Sequence, residues 1–277
     1  MAVMLRERWE SAEQYVEFLT HWAAYVLFAR EFIVGRRVLE IGCGMGYGTD
    51  YLAEFASCVT AVDISGEHIS HCQDKYGRDG ITFLRADGIE LPFKDNTFDV
   101  VLSFQVMEHI EPRNVLDYFS EIRRVLRRGG VVLVSTPNRR KRLLPLQKPW
   151  NPEHKREYDD SNLENLLERV FGQVKISGLC GSEDIVAIEY GWRKQTLLRV
   201  YVMYPIYRIM GFIASSSMLI RLRRVAQRLL RRYASHEQMP QEIFVRKFSL
   251  SDFRIDSTCT RDCIDLYGIG NKAGARY

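Results

Sequence analysis

The sequence predicts an α/β protein built on a doubly wound, mainly parallel β-sheet, and three observations support this class. Between residues 37 and 136, short apolar runs of strand length alternate with amphipathic stretches of helix length. The first apolar run ends in a turn with a glycine at every second position from 42 to 48. The next two runs are each followed by an aspartate, Asp63 and Asp87. Because ligands of such sheets bind at the carboxyl ends of the strands, these positions predict a binding site.

The individual elements follow from apolar spacing and from residues that begin or end helices. Residues 11–33 have apolar side chains at helical spacing behind Ser11, a suitable N-cap, so one or two helices are expected there. A glycine pair at 129–130 is expected to end the last helix of the alternating region, and a helix at 159–171 and a sixth strand at 173–179 follow. The strands of the alternating region are predicted at 37–41, 58–62, 81–85, 98–103 and 130–136, and its helices at 47–56, 66–76 and 113–127.

The amino-acid composition limits the classes of protein to which this chain can belong. The 277 residues are 46% hydrophobic and 27% charged with a net charge of +4, which is typical of a globular domain. No uncharged apolar stretch reaches the roughly 18–20 residues of a membrane span, and charged residues interrupt the start of the chain where a signal peptide would be apolar. The six cysteines form neither a C-x-x-C pair nor a zinc-binding spacing, so we predict reduced thiols in a cytoplasmic protein.

The glycine-rich turn predicts the kind of ligand. Its glycines permit positive φ and remove the Cβ atoms that would keep a ligand away from the backbone. A dinucleotide site needs the spacing G-x-G-x-x-G/A, but the third position is Tyr47 when counted from Gly42 and Thr49 when counted from Gly44. Nicotinamide and flavin dinucleotides are therefore not expected. Glu40, two residues before the first glycine, disfavours a pyrophosphate and suits a cationic ligand.

This run resembles motif I of the class I S-adenosylmethionine-dependent methyltransferases, in particular a bacterial subgroup of the methyltransferase 11 and 23 domain types. Later segments are similar to the same family in order: 91–101 to its LPF…FD signature, and 135–138 with 151–158 to its STPN … NPxHxxE[YF] pairing. The resemblance covers residues 20–180 and the final strand. It implies a Rossmann-like sheet of seven strands whose last, near 263–270, is antiparallel, with S-adenosylmethionine as cofactor and S-adenosylhomocysteine as product.

The residues expected to bind the cofactor lie at the ends of successive strands. Asp63 lies 23 residues after Glu40, close to the ~20-residue spacing at which an acid meets ribose hydroxyls, and Ile64 beside it suits the adenine face. The resemblance implies that Asp87 accepts from the adenine amino group and that the backbone near Gln105 holds the methionine end. The complete predicted set is Glu40, Gly42, Cys43, Gly44, Tyr47, Asp63, Ile64, Asp87, Gly88, Phe104 and Gln105.

Three residues are predicted to be catalytic: Glu108, His109 and His154. The resemblance places the Glu108-His109 pair at the active cleft and His154 in a loop over the methyl group of the cofactor. A histidine is a natural general base for a hydroxyl acceptor because its ordinary pKa is close to neutral. A loop histidine that only orders the backbone is the alternative for His154, and the residue pattern does not separate the two.

A metal site formed by the same residues is the alternative to this interpretation. Relatives that methylate the 3′ end of RNA bind a divalent cation through Glu-x-x-Glu-His and a later histidine, whereas this chain has glutamine at the first position, Gln105. An amide oxygen is a weaker ligand than a carboxylate for a hard cation, so we predict no metal.

A basic insertion separates the sixth strand from the last. Residues 192–233 contain ten Lys or Arg and no Asp or Glu, and their second half reads as a basic amphipathic helix. Three roles are considered for this segment. The first choice is a lid or a homodimer element, and the second is peripheral contact with the inner face of an anionic membrane. Nucleic-acid binding is the third. The chain is thus divided into an N-terminal helical cap (1–35), a cofactor-binding methyltransferase domain (36–190 and 258–277), and this mainly helical insertion (191–257).

The predicted function is methyl transfer to a small-molecule acceptor, with O-methylation of a saccharide or natural-product hydroxyl ranked first. Three alternatives stay open: C- or O-methylation of a lipid or isoprenoid-like substrate at a membrane surface, RNA methylation, and a non-catalytic scaffold that only binds the cofactor.

Overall fold

A computed structural model describes residues 9, 11–143, 147–149, 151–189 and 241–273 of the chain. The predicted basic helix and the rest of the 192–233 segment lie outside the described residues. Within the described ranges, none of the helices combines the length and the apolar character that crossing a bilayer requires.

The N-terminal region forms one continuous helical rod with a change of winding. It consists of α1 (Ala12–Ala23), a π-helical turn (Ala24–Ala29) and α2 (Arg30–Ile33). Ser11 caps α1 by accepting a hydrogen bond from the main-chain N–H of Gln14, which confirms the predicted helix start. Turns of π-helix shift the direction of side chains, and they are frequent at functional sites.

In the part of the chain that the structure describes, eight strands form a single sheet in the order β3-β2-β1-β4-β5-β8-β6-β7. The first five strands in the chain are parallel, and β8 lies antiparallel between β5 and β6. The Rossmann-like class and the antiparallel last strand are therefore confirmed. The strands are β1 (Arg37–Ile41), β2 (Cys58–Asp63), β3 (Ile81–Arg85), β4 (Phe98–Phe104), β5 (Leu126–Pro137), β6 (Gly172–Gly181), β7 (Phe253–Asp256) and β8 (Asp265–Lys272).

The predicted number of seven strands is wrong by one. The extra strand is β7, which pairs antiparallel with the end of β6 in the register Gly178↔Asp256. Residues 253–256 belong to the predicted insertion, yet they extend the main sheet at its edge. The strand has only four residues, so it has almost no periodic signal of its own, and its pairing with β6 is what defines it.

The remaining helices connect these strands and cover both faces of the sheet. The predicted helix at 113–127 ends at Val125, and the strand begins at Leu126 rather than after the glycine pair. Leu126 pairs with Phe98, and a register shift then brings Val131 opposite Val100. The helices are α3 (Tyr47–Leu52), α4 (Gly66–Tyr76), α5 (Val115–Val125), α6 (Arg139–Arg142), α7 (Asp160–Phe171) and α8 (Gln241–Lys247), with short 3₁₀ turns at Met107–His109 and Leu250–Asp252.

The core is divided into two layers by the sheet. Leu102 packs with Trp22 and Phe28 of the N-terminal rod, whereas its neighbour Val101 packs with Phe119 of α5 and residues of α7. Adjacent residues of β4 thus bury opposite faces, as expected of a parallel sheet covered on both sides. The carboxyl ends of β1 and β4, on either side of the point where strand order reverses, are left to form a crevice.

Candidate cofactor pocket and catalytic cluster

The glycine-rich loop leaves the end of β1 and turns sharply into α3. Gly42, Gly44 and Gly46 all have positive φ, at 76°, 52° and 79°. The main-chain N–H groups of Gly42 and Cys43 donate to the carbonyl of Val62 at 2.8 and 3.1 Å, which ties the loop to β2. The loop is therefore fixed at its base, and a side chain on these three glycines would force strained backbone.

Glu40 lies beneath this loop, in the protein interior. One carboxylate oxygen accepts from the hydroxyl of Tyr25 at 2.7 Å and the other from the hydroxyl of Thr49 at 2.5 Å. Burial raises the pKa of Glu40 to about 7, against the opposing effect of these two hydrogen bonds. The predicted ligand Glu40 thus contacts the N-terminal rod and α3, and Tyr25 stands between it and the cavity described below.

Asp63 at the end of β2 joins two backbone segments. Its Oδ2 accepts from the N–H of Gly44 at 2.9 Å, and its Oδ1 accepts from the N–H of Ser65 at 2.8 Å. Each carboxylate oxygen retains a second lone pair, so the group can still accept from hydroxyls. Ile64 beside it is 65% exposed, which leaves an apolar surface next to a polar anchor.

The adenine-side residues follow β3. Asp87 is exposed, and its Oδ1 accepts from the N–H of Ile89 at 3.1 Å. Gly88 packs so closely on the ring of Tyr118 that an added Cβ would overlap it. The structure therefore places Asp63 and Asp87 at the ends of neighbouring strands, as predicted from the sequence pattern.

An open cavity of about 210 Å³ lies between the glycine-rich loop, the N-terminal rod and the ends of β4 and β5. Six of the predicted cofactor-binding residues line it: Gly42, Cys43, Gly44, Tyr47, Phe104 and Gln105. Four further lining residues were not predicted: His21, Tyr25, Met45 and Ser135. His21 and Tyr25 are four residues apart and so lie on one face of the N-terminal rod, and this spacing is the sequence signal that could have identified them.

Gln105 is held in a strained conformation at the floor of this cavity. Its φ of 56° is left-handed, which is uncommon for a residue other than glycine. Its side-chain amide donates to Asp265 at 2.8 Å and its main-chain N–H donates to the carbonyl of Ser135 at 3.0 Å. Asp265 belongs to β8 and is buried, and burial raises the pKa of its carboxyl well above the ordinary value. The last strand thus supports the pocket.

The three predicted catalytic residues come together just beyond Gln105. Glu108 and His109 lie in the 3₁₀ turn after β4, and the N–H of Lys155 donates to the carbonyl of Glu108 at 2.7 Å, which docks the His154 loop on this turn. The rings of His109 and His154 meet edge to face with centroids 4.8 Å apart. One potential ligand atom from each of the three residues lies within 4.8 Å of the others. We call these residues the Glu108–His109–His154 cluster.

Each member of the cluster is oriented by a further contact. The Oε2 of Glu108 accepts from the hydroxyl of Thr136 at 3.1 Å, and its Oε1 is buried with no hydrogen-bond partner among the described residues. Burial raises the pKa of Glu108 to about 7. The Nδ1 of His154 lies 3.1 Å from the buried carboxylate of Glu157. Burial lowers the pKa of His109, and the neighbouring His154 adds to this effect.

Glu157 is a site residue that the sequence analysis did not assign. It lies three residues after His154 inside the motif that carried the resemblance, and it is 1% exposed. The arrangement allows the Nδ1–H of His154 to donate to a carboxylate while Nε2 remains available as an acceptor. The sequence signal that could have identified Glu157 is its position three residues after His154.

Comparison with known proteins agrees with this geometry. Residues 39–134 match a family model described as a methyltransferase domain. The chain is 40% identical over 157 residues to a probable S-adenosylmethionine-dependent methyltransferase of Mycolicibacterium smegmatis, covering 57% of this chain and 59% of that protein. It is 33% identical over 154 residues to a fatty-acid O-methyltransferase of the same organism, covering 54% and 52%. The chain thus matches only about half to three-fifths of the length of these relatives.

Among solved structures, a chain from the complex of the Haloferax volcanii Trm112 methyltransferase activator with a putative methyltransferase superposes with a TM-score of 0.56. The identity is 14%, and 96% of this chain and 94% of that chain are covered, so the similarity concerns the fold. The sheet order, the glycine-rich loop and the acid at the end of β2 define a class I methyltransferase domain. The part of the chain that these comparisons match is therefore a class I S-adenosylmethionine-dependent methyltransferase domain.

Proposed function

We propose that this protein transfers a methyl group from S-adenosylmethionine to a hydroxyl of a small-molecule acceptor, a saccharide or natural product. The observation that carries the proposal is the Glu108–His109–His154 cluster, which begins in the segment directly after the cavity residues Phe104 and Gln105. Glu108 also accepts from Thr136 at the end of β5, the strand that contributes Ser135 to the cavity. A hydroxyl between cavity and cluster would therefore have groups within reach that can take its proton.

When bound, S-adenosylmethionine supplies an electrophilic methyl group on a positively charged sulfur. The glycine-rich loop and Asp63 would hold its nucleoside, while Phe104 and Gln105 would hold the methionine end. The main contribution of the protein is then orientation, since aligning two reactants removes much of the entropic barrier. The cluster would orient the acceptor oxygen and relieve it of its proton as the new bond forms.

A lipid carboxylate is a second candidate acceptor, favoured by the similarity to a fatty-acid O-methyltransferase. The two candidates differ in what they require from the cluster. A carboxylate is already ionised near neutral pH and needs no proton acceptor. Loss of the His154 ring should therefore impair methylation of hydroxyls much more than methylation of carboxylates.

The proposal is tested first by calorimetric titration of S-adenosylmethionine into the wild type and the Asp63→Ala variant. Hydrogen bonds to a charged group contribute about 1.5–3 kcal/mol each, so Asp63→Ala should weaken binding by roughly tenfold or more. Asp74→Ala, at an exposed position of α4, is the matched control and should bind like the wild type. A well-folded wild type that does not bind the cofactor would refute the proposal.

A panel of acceptors then tests the substrate class. Purified protein and methyl-labelled cofactor are incubated separately with saccharides, phenols and fatty acids, and labelled product is measured. Label in a saccharide or phenol supports the proposal, and label only in fatty acids supports the second candidate. Tight cofactor binding without transfer to any of these classes would favour the non-catalytic scaffold.

A further inference from the structure

We propose that the Glu108–His109–His154 cluster binds a first-row divalent cation at the end of β4. The inference deepens the proposed function and rests on it for its chemical meaning, but the binding itself can be measured separately. One ligand atom from each residue lies within 4.8 Å of the other two, so small side-chain adjustments would bring all three to a common ion.

The buried carboxylate of Glu108 favours a bound cation. Glu108 is completely buried, and its Oε1 has no hydrogen-bond partner within the described part of the chain. A buried polar atom without a partner is costly, and such an atom calls for a specific explanation. A cation beside Oε1 would supply the missing partner.

The two histidine rings are oriented in the way that is typical of metal ligands. One nitrogen of His154 faces the carboxylate of Glu157 at 3.1 Å, and the ring of His109 is hydrogen-bonded to the main-chain carbonyl of Glu153. Each ring therefore keeps one nitrogen for another partner. Histidines that bind metals in proteins characteristically donate their second nitrogen to a carboxylate or a backbone carbonyl, which fixes the ring and its tautomer.

The sequence pattern disfavours a metal because glutamine occupies position 105. The amide nitrogen of Gln105 donates to Asp265 at 2.8 Å, so the proposed site consists of the other three residues alone. Two imidazoles and one carboxylate suit zinc, iron, cobalt or manganese better than magnesium or calcium. Three protein ligands also leave coordination positions open, as in catalytic rather than structural sites.

The consequence for the proposed reaction concerns the hydroxyl proton. A cation lowers the pKa of an oxygen ligand, so an acceptor hydroxyl bound to it would lose its proton to water more easily. In the loaded site the two histidines would then hold the ion in place, and the acceptor oxygen would be positioned by the ion itself.

The test uses the full chain, stripped with a chelator and titrated calorimetrically with Co²⁺ alone. We expect one saturable site, binding at least tenfold weaker in His109→Asn and in His154→Asn. His71→Asn, a histidine of α4 outside the cluster, is the control and should leave the affinity unchanged. No saturable binding by the wild type, or equal affinity in both cluster variants, would overturn the proposal.

Two measurements guard against ambiguous results. The absorption spectrum of bound Co²⁺ distinguishes nitrogen and oxygen ligands from thiolates, so binding to cysteines would be recognised and would count against the proposal. If a cluster variant fails to fold, the Co²⁺ spectrum of the wild type alone still shows whether the ion has nitrogen and oxygen ligands. Titration of S-adenosylmethionine into the same samples separates the two proposals, because cation binding without cofactor binding would refute only the transferase function.

Discussion

At the scale of single residues, Glu40 shows how burial changes the chemistry of a common side chain. Its carboxyl is 2% exposed and both oxygens accept hydrogen bonds from hydroxyls. Because burial raises its pKa from 4.5 to about 7, the folded protein binds this proton more tightly than the unfolded chain. The resulting stability is fully present below pH 4.5 and is lost as the pH rises through about 7.

The Glu40→Gln variant should therefore gain stability relative to the wild type as the pH is raised. The difference in the free energy of unfolding should move in favour of the variant between pH 5 and pH 8, by up to roughly 3 kcal/mol. Urea denaturation at several pH values measures it. Glu54→Gln, at an exposed position, is the control, and parallel pH profiles for Glu40→Gln and the wild type would contradict the expectation.

The site residues differ in how far sequence could predict them. Asp63 was predictable, because a strand end and a spacing of 23 residues are both local properties of the sequence. The contact between Glu40 and Tyr25, one of its two hydroxyl partners, was not predictable, since Tyr25 reaches it from the separate N-terminal rod. The left-handed backbone of Gln105 likewise depends on Asp265, 160 residues away in the chain.

At the scale of elements, the N-terminal rod is fitted closely against α3. The ring of Tyr25, in the π-helical turn, occupies the space where Gly48 would carry a Cβ. Phe28 from the same turn stacks on Tyr267 of β8 with ring centroids 4.7 Å apart. The turn therefore places one aromatic ring against α3 and another against β8.

Gly48→Ala should lower stability by about 1–3 kcal/mol and weaken cofactor binding, because the methyl group displaces Tyr25 from the pocket wall. Helix propensity alone predicts the opposite, since alanine favours a helix by about 1 kcal/mol over glycine. Gly66→Ala is the matched control at the start of α4, where nothing lies closer than 3.7 Å to the added atom. Thermal melting and calorimetry measure both effects, and a Gly48→Ala protein as stable as Gly66→Ala would refute the expected overlap.

Element prediction succeeded where the apolar pattern was long and local. The alternating strands and helices between 37 and 104 were located within a few residues, because each has its own periodicity. The end of α5 was misplaced because Leu126 leaves the helix to pair with Phe98, a contact across the sheet. Strand β7 was missed for the same reason, because its pairing with β6 is a contact across the sheet and not a local property of its four residues.

At the scale of the whole molecule, the sheet depends on its last strand. Ile269 pairs with Leu133 on one side and Lys175 on the other, whereas Ile255 in the edge strand pairs only with Leu179. Proline removes a hydrogen-bond donor and is tolerated almost only at sheet edges. Ile269→Pro should therefore abolish cooperative folding, while Ile255→Pro should lower stability by roughly 1–3 kcal/mol.

Circular dichroism melting and size-exclusion chromatography compare the two variants. The two substitutions exchange the same residue types in the same sheet, so composition cannot explain a difference between them. Similar melting temperatures would show that β8 is not essential to the sheet, contrary to its position in the strand order.

The place of β8 also has a consequence for protein synthesis. Strand β5 ends at Pro137, but its outer neighbour begins only at Asp265, so the growing chain carries an unpaired strand edge for much of its translation. Exposed strand edges invite association with other chains. Until residues 265–272 have left the ribosome, Gln105 also lacks its carboxylate partner. The edge of β5 is therefore open to association with other chains until β8 is synthesised and pairs with it.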